Sequence, residues 1–315
     1  MKYNAIIIAG PTGTGKTSLS VKLAKKLNTE IINADSTQVY AGLNIGVAKA
    51  TCDEMQGIKH HLIDICDLRD NYTVAQFKEQ ALQIIKDLNA KQKPAIIVGG
   101  TGFYIDSLLN NYEYGQSSSN QEIRNNYLEM AKEKGNETVH NELNLVDEVM
   151  AKKLHPNDIT RVVRALEIYH TTGISASQHS IMQNATRENK EGQMNALLIC
   201  LNIEDRKELY NKLNLRVDTM FANGLLQEVQ SLYNAHIDRN WQSMKSIGYK
   251  ELFQYLDTNI TLEEAKELIK KNTRNYAKRQ LTWFRRYNNN PNCFWFDVSK
   301  QSIGNIIDDI ISKLK

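Results

Sequence analysis

The sequence predicts an α/β fold in which helices cover both faces of a parallel sheet. Short apolar runs rich in β-branched residues recur at residues 5–9, 31–34, 61–65, 95–98, 196–201 and 293–298. Between them, apolar residues follow helical spacing at residues 17–27, 74–89, 102–109 and 204–222, and Ser or Thr opens several of these stretches. Continuously apolar strands that alternate with helices are typical of parallel sheets that are buried on both faces.

The first predicted strand runs into a glycine-rich turn that opens the first predicted helix. The turn consists of Gly10, Pro11, Thr12, Gly13, Thr14, Gly15, Lys16 and Thr17, which match the P-loop pattern. Backbone N–H groups and the helix N-terminus attract phosphate in such a loop, Lys16 adds a mobile cation, and the Thr17 hydroxyl suits Mg²⁺. The core is therefore predicted to be a P-loop NTPase-like parallel sheet. A glycine-rich turn without a ligand is the alternative interpretation.

Two polar residues follow the second and fourth predicted strands. Asp35 comes after the run at residues 31–34, and Thr101 comes after the run at residues 95–98 and two glycines. The carboxyl ends of parallel strands meet at one edge of a sheet, so we expect both residues beside the P-loop. Each also has a structural alternative, since Asp35 fits a turn or a helix cap and Thr101 fits an N-cap.

The fourth predicted strand lacks a feature of proteins that hydrolyse nucleoside triphosphates. Such proteins hold their metal with an Asp at the end of an apolar strand, whereas this strand ends in Gly99-Gly100-Thr101. Asp64, which follows His61-Leu62-Ile63, is a weaker candidate for that role. This pattern favours a phosphate-bearing substrate whose phosphate is bound or leaves without transfer of a γ-phosphoryl group.

The middle of the chain predicts a helical insertion. Residues 120–194 contain no strand-like run and are polar with helix-like spacing, and a turn-rich segment precedes them. We therefore expect a catalytic core formed by residues 1–119 and 195–315, interrupted by a helical subdomain at residues 120–194. Additional helices that lie flat on the core are the alternative.

Basic residues are concentrated in a predicted helix near the C-terminus that begins at Leu262. Residues 268–286 include no Asp or Glu and seven basic residues, namely Lys270, Lys271, Arg274, Lys278, Arg279, Arg285 and Arg286. A solvated charged face is one interpretation of this run, and a surface for a phosphate backbone is the other.

Overall composition fits a globular protein of one or two domains. The chain has 315 residues, 41% of them hydrophobic and 24% charged, and a formal net charge of +3 that by itself favours no class of charged partner. Its four cysteines lack metal-ligand spacing, which favours a reducing cytoplasm. Because no apolar run approaches the roughly 18 residues of a membrane span, we expect neither a membrane span nor a signal peptide.

Several motifs together resemble the bacterial tRNA dimethylallyltransferases. They are the P-loop, Asp35-Ser36-Thr37-Gln38-Val39-Tyr40, Gly46-Val47-Ala48-Lys49, His60-His61-Leu62-Ile63-Asp64, Gly99-Gly100-Thr101-Gly102-Phe103-Tyr104, His155-Pro156-Asn157-Asp158, Ile247-Gly248-Tyr249-Lys250 and Lys278-Arg279-Gln280-Leu281-Thr282-Trp283. Members of this family transfer a dimethylallyl group from its diphosphate to the exocyclic amine of the adenosine on the 3′ side of the anticodon. The resemblance spans most of the chain and implies a monomer that binds the tRNA anticodon stem-loop, dimethylallyl diphosphate and Mg²⁺.

The resemblance also implies roles for particular residues. Asp35 would be the general base, Thr101 would contact the reaction centre, and Lys16 would act on the diphosphate. The diphosphate site would comprise Gly10, Pro11, Thr12, Gly13, Thr14, Gly15, Lys16, Thr17 and Arg216, with Thr17 also on the metal. The tRNA site would comprise Asp35, Ser36, Thr37, Gln38, Thr101, Arg124, Thr160, Arg161, Val162, Val163, Arg164, Lys245, Gly248, Lys250, Lys278 and Arg279.

Two other functions remain open on the sequence alone. An ATP-dependent small-molecule kinase would also use a P-loop, and its product would be ADP. A non-catalytic RNA-binding protein with a P-loop would also carry the basic helix, and Asp35 would be dispensable to it.

Overall fold

The computed structural model describes residues 2–110, 120–188 and 194–314. The chain divides into two compact units, the first formed by Met1–Leu109 with Met194–Lys315 and the second by Asn110–Gln193. The second unit thus spans Asn110–Gln193, whereas the sequence predicts the insertion at residues 120–194. No helix in the described ranges has the length and apolar character that crossing a membrane requires.

The first unit is built on a parallel sheet, which confirms the predicted α/β class. Its strands are β1 (Ala5–Ala9), β2 (Ile31–Asn33), β3 (His60–His61), β4 (Ala95–Val98), β5 (Ala196–Asn202) and β6 (Cys293–Asp297). They lie in the order β3-β2-β4-β1-β5-β6, and every neighbouring pair is parallel. The carboxyl ends of β1, β2 and β4 therefore lie side by side at one edge.

Fourteen α-helices are assigned within the described residues. The first unit contains α1 (Lys16–Leu27), α2 (Cys52–Met55), α3 (Val74–Ala90) and α4 (Gly102–Leu109) before the second unit begins. The second unit contains α5 (Gln121–Lys134), α6 (Asn136–Val146), α7 (Glu148–Lys153), α8 (Ile159–Thr172) and α9 (Ala176–Glu188). The first unit resumes with α10 (Arg206–Ala222), α11 (Leu225–Asn234), α12 (Tyr249–Leu256), α13 (Leu262–Phe284) and α14 (Ile303–Leu314).

Alternating residues of β1 are buried against opposite faces of the sheet. Ile7 packs in the cluster that also contains Phe77 of α3 and Phe284 of α13, whereas Ile6 packs with Leu19 of α1. All five large side chains named here are no more than 1% exposed. Burial of each stabilises the fold by about 2 kcal/mol, so β1 is anchored from both sides. The P-loop that follows it therefore starts from a fixed point.

The third predicted strand was placed wrongly. The sequence pattern predicts a strand at residues 61–65, but β3 covers only His60 and His61. The next residues leave the extended conformation because Leu62 and Asp64 have φ values of 60° and 55°, in the left-handed region. Asp64, the weaker candidate for a metal-binding acid, is instead paired with the ammonium of Lys49.

Candidate active site

A cleft of about 650 Å³ lies at the carboxyl edge of the sheet in the first unit. The P-loop and the residues that follow β2 and β4 line its floor. Residues 46–50, residues 245–250 and the side of α13 line its walls. Chain segments that are far apart in sequence thus meet in one concavity, which is typical of a ligand site at the edge of a parallel sheet.

The P-loop is held close to β5 by the absence of a side chain at Gly10. Gly10 has φ 133°, and a Cβ atom built there would collide with the backbone carbonyl of Leu201. The buried hydroxyl of Thr14 donates a hydrogen bond of 2.9 Å to the carbonyl of Pro11. These contacts bring the loop across the N-terminus of α1, where N–H groups without helical partners attract anions.

Two cationic side chains converge on the mouth of the P-loop. The ammonium of Lys16 donates to the carbonyl of Pro11 at 2.8 Å. Burial and, to a smaller extent, the positive charge of Arg216 lower the pKa of Lys16 to about 8, although the negative charge of Asp35 opposes them. Burial also lowers the pKa of Arg216, which comes from α10, while the charges of Asp35 and Glu54 raise it. Both cations are therefore short of solvent and suited to an anionic ligand.

The carboxylate of Asp35 lies in the cleft and is fixed by its own loop. Its Oδ1 accepts hydrogen bonds from the backbone N–H of Thr37 at 3.0 Å and from the Thr37 hydroxyl at 2.7 Å. The buried amide of Asn33 donates to the carbonyls of Asp35 at 3.2 Å and Leu62 at 3.0 Å. Asp35 is therefore both a turn residue, as the structural alternative supposed, and a charged group that faces the P-loop.

Thr101 is joined directly to the loop that carries Asp35. Its hydroxyl oxygen accepts the backbone N–H of Ser36 at 3.0 Å, and the hydroxyl lies 3.2 Å from the Ser36 hydroxyl. Its backbone N–H donates to the carbonyl of Ala34 at 3.2 Å. Ser36 lines the cleft, whereas Thr101 supports it from behind. A contact between Thr101 and the reaction centre stays a prediction.

Tyr276 of α13 adds a polar group to this part of the cleft. Burial and the negative charge of Asp35 raise the pKa of its hydroxyl, and the side chains of Thr101 and Gln280 oppose that effect. The place of Tyr276 beside Asp35 depends on the docking of α13 against the sheet edge, which local sequence does not encode.

The backbone at residues 44–46, where the chain enters the cleft wall, is held by a single carboxylate, Glu228 of α11. Glu228 Oε2 accepts the backbone N–H groups of Asn44 at 3.0 Å and Ile45 at 2.9 Å, and Oε1 accepts that of Gly46 at 3.1 Å. Oε1 also accepts the hydroxyl of Tyr249 at 2.5 Å. Burial and the charge of Glu228 raise the pKa of Tyr249, so this phenol remains a donor.

Replacement of Glu228 by Gln should lower the melting temperature by about 4–8 °C. Four donors point at the carboxylate, and all four need an acceptor. In Gln the NH₂ group replaces one of the two acceptor oxygens, so some of these donors would face another donor. Loss of charge-assisted hydrogen bonds of this kind costs about 2 kcal/mol, and each kcal/mol shifts Tm by about 2–4 °C in a unit of this size. Thermal unfolding followed by circular dichroism measures the shift. Gln227→Ala, on the exposed face of the same helix, is the control. If both variants melted within 1 °C of the wild-type chain, the proposed role of Glu228 in holding residues 44–46 would be contradicted.

The basic face of α13 is partly neutralised within the protein. Lys270 forms ion pairs with Asp218 at 2.9 Å and Glu267 at 3.3 Å, and Arg274 donates to the side chain of Asn214 at 2.6 Å. Lys278 and Arg279, two positions and one position before Gln280, are exposed. Of the stripe formed by Lys270, Arg274 and Lys278, only the last is exposed and has no acidic partner among the described residues.

Lys245, Gly248 and Lys250 line the same cleft as the P-loop residues. Gly248 has φ 101° and its N–H donates to the carboxylate of Glu251 at 2.7 Å, which caps α12. Gln38 also lines the cleft, and its amide donates to the carbonyl of Val47 at 3.1 Å. These predicted tRNA-binding residues are therefore grouped around the opening that holds Asp35.

Part of the predicted tRNA site in the second unit is built into that unit's own structure. Val162 and Val163 are 0% and 3% exposed and belong to its apolar core, so their contact with tRNA stays a prediction. The carboxylate of Glu167, fully buried, pairs with Arg124 at 2.9 Å and Arg164 at 2.6 Å. The remaining two predicted residues, Thr160 and Arg161, are exposed, and Arg161 pairs with Asp158 at 2.9 Å.

The residues of the cleft fit a metal ion only together with a ligand. Throughout the described ranges, no group of three or more His, Cys, Asp or Glu side chains could hold a metal ion. Thr17 lines the cleft at the start of α1 and is exposed, as a P-loop hydroxyl must be to reach an ion. Mg²⁺ commonly takes one or two protein oxygens and completes its shell with substrate phosphates and water. The donor set is compatible with that mode of binding.

Comparisons with known proteins relate the chain to one enzyme family. The model of the IPP transferase family matches residues 38–287. A tRNA dimethylallyltransferase of Clostridioides difficile is 42% identical over 100% of this chain and 98% of its own length. The crystal structure of a tRNA isopentenylpyrophosphate transferase from Staphylococcus epidermidis is 40% identical, covers 98% of both chains and superposes with a TM-score of 0.70. A eukaryotic dimethylallyltransferase acting on tRNA is 30% identical over 98% of this chain and 79% of its own, with a TM-score of 0.79.

Proposed function

The chain belongs to the IPP transferase family, and on this premise we propose that it transfers a dimethylallyl group from dimethylallyl diphosphate to tRNA. The acceptor is the N6 amine of the adenosine on the 3′ side of the anticodon, and diphosphate is released. The observation that carries this assignment is the cleft itself, where the cationic P-loop and the carboxylate of Asp35 face one ligand space. Donor and acceptor groups can meet between them.

The P-loop side of the cleft supports departure of the leaving group. In the reaction the bond between the allylic carbon and the diphosphate oxygen breaks, and negative charge accumulates on that oxygen. Lys16, Arg216 and residues of the P-loop line the same cleft, so their ammonium, guanidinium and backbone N–H groups would stabilise the charge that develops there. Thr17 would hold Mg²⁺ together with the diphosphate, and the ion would neutralise part of the developing charge.

Asp35 supports the attacking group. The lone pair of an adenine N6 amine is delocalised into the ring, so the amine is a weak nucleophile. A carboxylate that accepts a hydrogen bond from N6–H orients the amine, and it takes the proton as the new bond between nitrogen and carbon forms. Asp35 Oδ1 is engaged by Thr37, which fixes the direction of the carboxylate toward the cleft.

Protein surfaces around the opening would bind the anticodon stem-loop. The target base must leave the loop stack to enter the cleft, and such extrusion requires contacts to the backbone on both sides. Lys245 and Lys250 on one wall and Lys278 and Arg279 on α13 supply cations at the rim. We place the chain in the cytoplasm as a monomer, since all these groups come from one chain and the described cysteines are free thiols.

Replacement of both Lys278 and Arg279 by Gln should make the affinity for tRNA less dependent on salt concentration. Each phosphate contact contributes about 0.7–0.9 to the slope of log K against log salt concentration, so we expect a decrease of about 1.5. Filter binding or fluorescence anisotropy over a range of KCl concentrations measures the slope. Lys270→Gln is the matched control on the same helix, because its charge is already paired with Asp218. An unchanged slope in the double variant would show that this face of α13 is a solvated charged surface and does not bind phosphate.

Incubation with labelled dimethylallyl diphosphate, Mg²⁺ and unmodified tRNA tests the proposed reaction. We expect label in the tRNA and free diphosphate in solution. A parallel reaction with ATP and small-molecule acceptors tests for a kinase, for which ADP would be the product. Absence of label in tRNA, or formation of ADP in place of transfer, would overturn the proposal.

A further inference from the structure

Gln280 of α13 connects two loops that lie far from it in the sequence. Its Oε1 accepts the backbone N–H of Thr12 in the P-loop at 3.0 Å. Its Nε2 donates to the carbonyl of Gly100, in the turn after β4, at 2.9 Å. The residue is only 5% exposed. One side-chain amide therefore joins the loop proposed to hold diphosphate to the loop that ends in Thr101.

The two partners fix which way the amide points. The N–H of Thr12 can only donate and the carbonyl of Gly100 can only accept, so a flipped amide would lose both hydrogen bonds. The amide plane is rigid, and it sets the separation between the two backbones. A Cβ atom built on Gly100 would collide with Nε2 of Gln280, so the turn can approach the amide this closely only with glycine there.

The same amide lies next to the groups proposed for the chemistry. Tyr276, one helical turn earlier, faces both Gln280 and Thr101. Thr101 in turn bonds to Ser36, the neighbour of Asp35. Because Gln280 already occupies the N–H of Thr12, this N–H serves the connection between loops, and the other N–H groups of the P-loop remain for phosphate.

We propose that Gln280 is a positioning residue that aligns the P-loop with the loops carrying Thr101 and Asp35. This inference rests on the proposed transfer reaction. Displacement at the allylic carbon needs the attacking nitrogen, the carbon and the departing oxygen in line, and a misplacement of about 1 Å costs on the order of 100-fold in rate. The Gln280 amide joins the loop proposed to hold the diphosphate to the loop that ends in Thr101. The amide therefore sets alignment, while each substrate keeps its own binding contacts.

The first test is Gln280→Met, which keeps the length and volume of the side chain and removes both hydrogen bonds. We expect kcat to fall about 100-fold, with KM for dimethylallyl diphosphate and the Kd for tRNA within threefold of wild type. Thr282→Ala is the control on the same helix, since within the described residues its hydroxyl bonds only the carbonyl of Lys278. We expect wild-type kcat for this control. Wild-type kcat in Gln280→Met, or a loss that lies wholly in Kd or KM, would overturn the inference.

A second variant pair keeps the inference testable if Gln280→Met unfolds at the assay temperature. Gly100→Ala should displace the amide and lower kcat at least tenfold, because the φ of Gly100 is outside the left-handed region and only the side chain of Gln280 is in the way. In Gly100→Ala/Gln280→Ala the collision is gone, so kcat should equal that of Gln280→Ala. Additive losses would overturn the inference. Failure of the wild-type chain to label tRNA would instead refute the proposed function.

Discussion

Replacement of Asp35 by Asn is expected to lower kcat by about 10³-fold while the Kd for tRNA stays within threefold of wild type. Proton transfer by a positioned general base contributes about 10²–10⁴-fold to rate, and Asn cannot take the proton from N6. The substitution preserves the local structure, because the amide oxygen of Asn can accept the same hydrogen bonds from the N–H and hydroxyl of Thr37. The loss should therefore appear in turnover and not in tRNA binding.

Single-turnover labelling of tRNA, with both substrates saturating, separates this effect from binding and product release. Asp67→Asn is a matched control, because Asp67 is exposed and does not line the cleft. Asp35→Ala should be at least as slow, and it should also lose some thermal stability because it removes the acceptor for Thr37. Equal losses in tRNA affinity and in turnover for Asp35→Asn would assign Asp35 a structural role only.

The parts of the site that the sequence predicts correctly are those encoded by contiguous residues. The P-loop pattern depends on glycines within eight positions, and Asp35 follows a buried strand whose direction is set by its own apolar residues. Parallel pairing then brings the ends of β2 and β4 beside β1 without further information. Local patterns are sufficient here because the sheet supplies the long-range order.

The contacts that adjust the site are not contained in local patterns. Gln280 accepts the backbone N–H of Thr12, and Glu228 accepts that of Asn44; each pair is more than 180 positions apart in the sequence. No periodicity or motif spacing around Gln280 or Glu228 marks either residue for such a contact. The basic run illustrates the converse error, because the charge of Lys270 is cancelled by Asp218 on α10. A count of charges along the sequence includes groups that only the fold pairs.

The second large effect is expected at Lys16. Replacement by Met should lower kcat/KM for dimethylallyl diphosphate by about 10²–10³-fold and leave tRNA affinity unchanged. Loss of one preorganised donor to a developing oxyanion costs on the order of 10²–10³ in rate, and Met keeps the apolar length of the side chain. Lys22→Met, on the exposed face of α1, is the control. Loss of tRNA binding with normal donor kinetics would contradict a role of Lys16 at the diphosphate.

The pH dependence of kcat/KM for dimethylallyl diphosphate provides an independent test of the role of the Lys16 charge. Burial and the charge of Arg216 lower the pKa of Lys16 to about 8, so the ammonium is present below that pH and is lost as the pH rises through it. kcat/KM for the donor reports ionisations of the free enzyme and should therefore fall above about pH 8. In Lys16→Arg the guanidinium stays charged, so the decline should move beyond pH 9 even if the absolute rate is lower. A decline at pH 8 that persists in Lys16→Arg would have to come from another group, and Lys16 would then not be the cation that meets the leaving diphosphate.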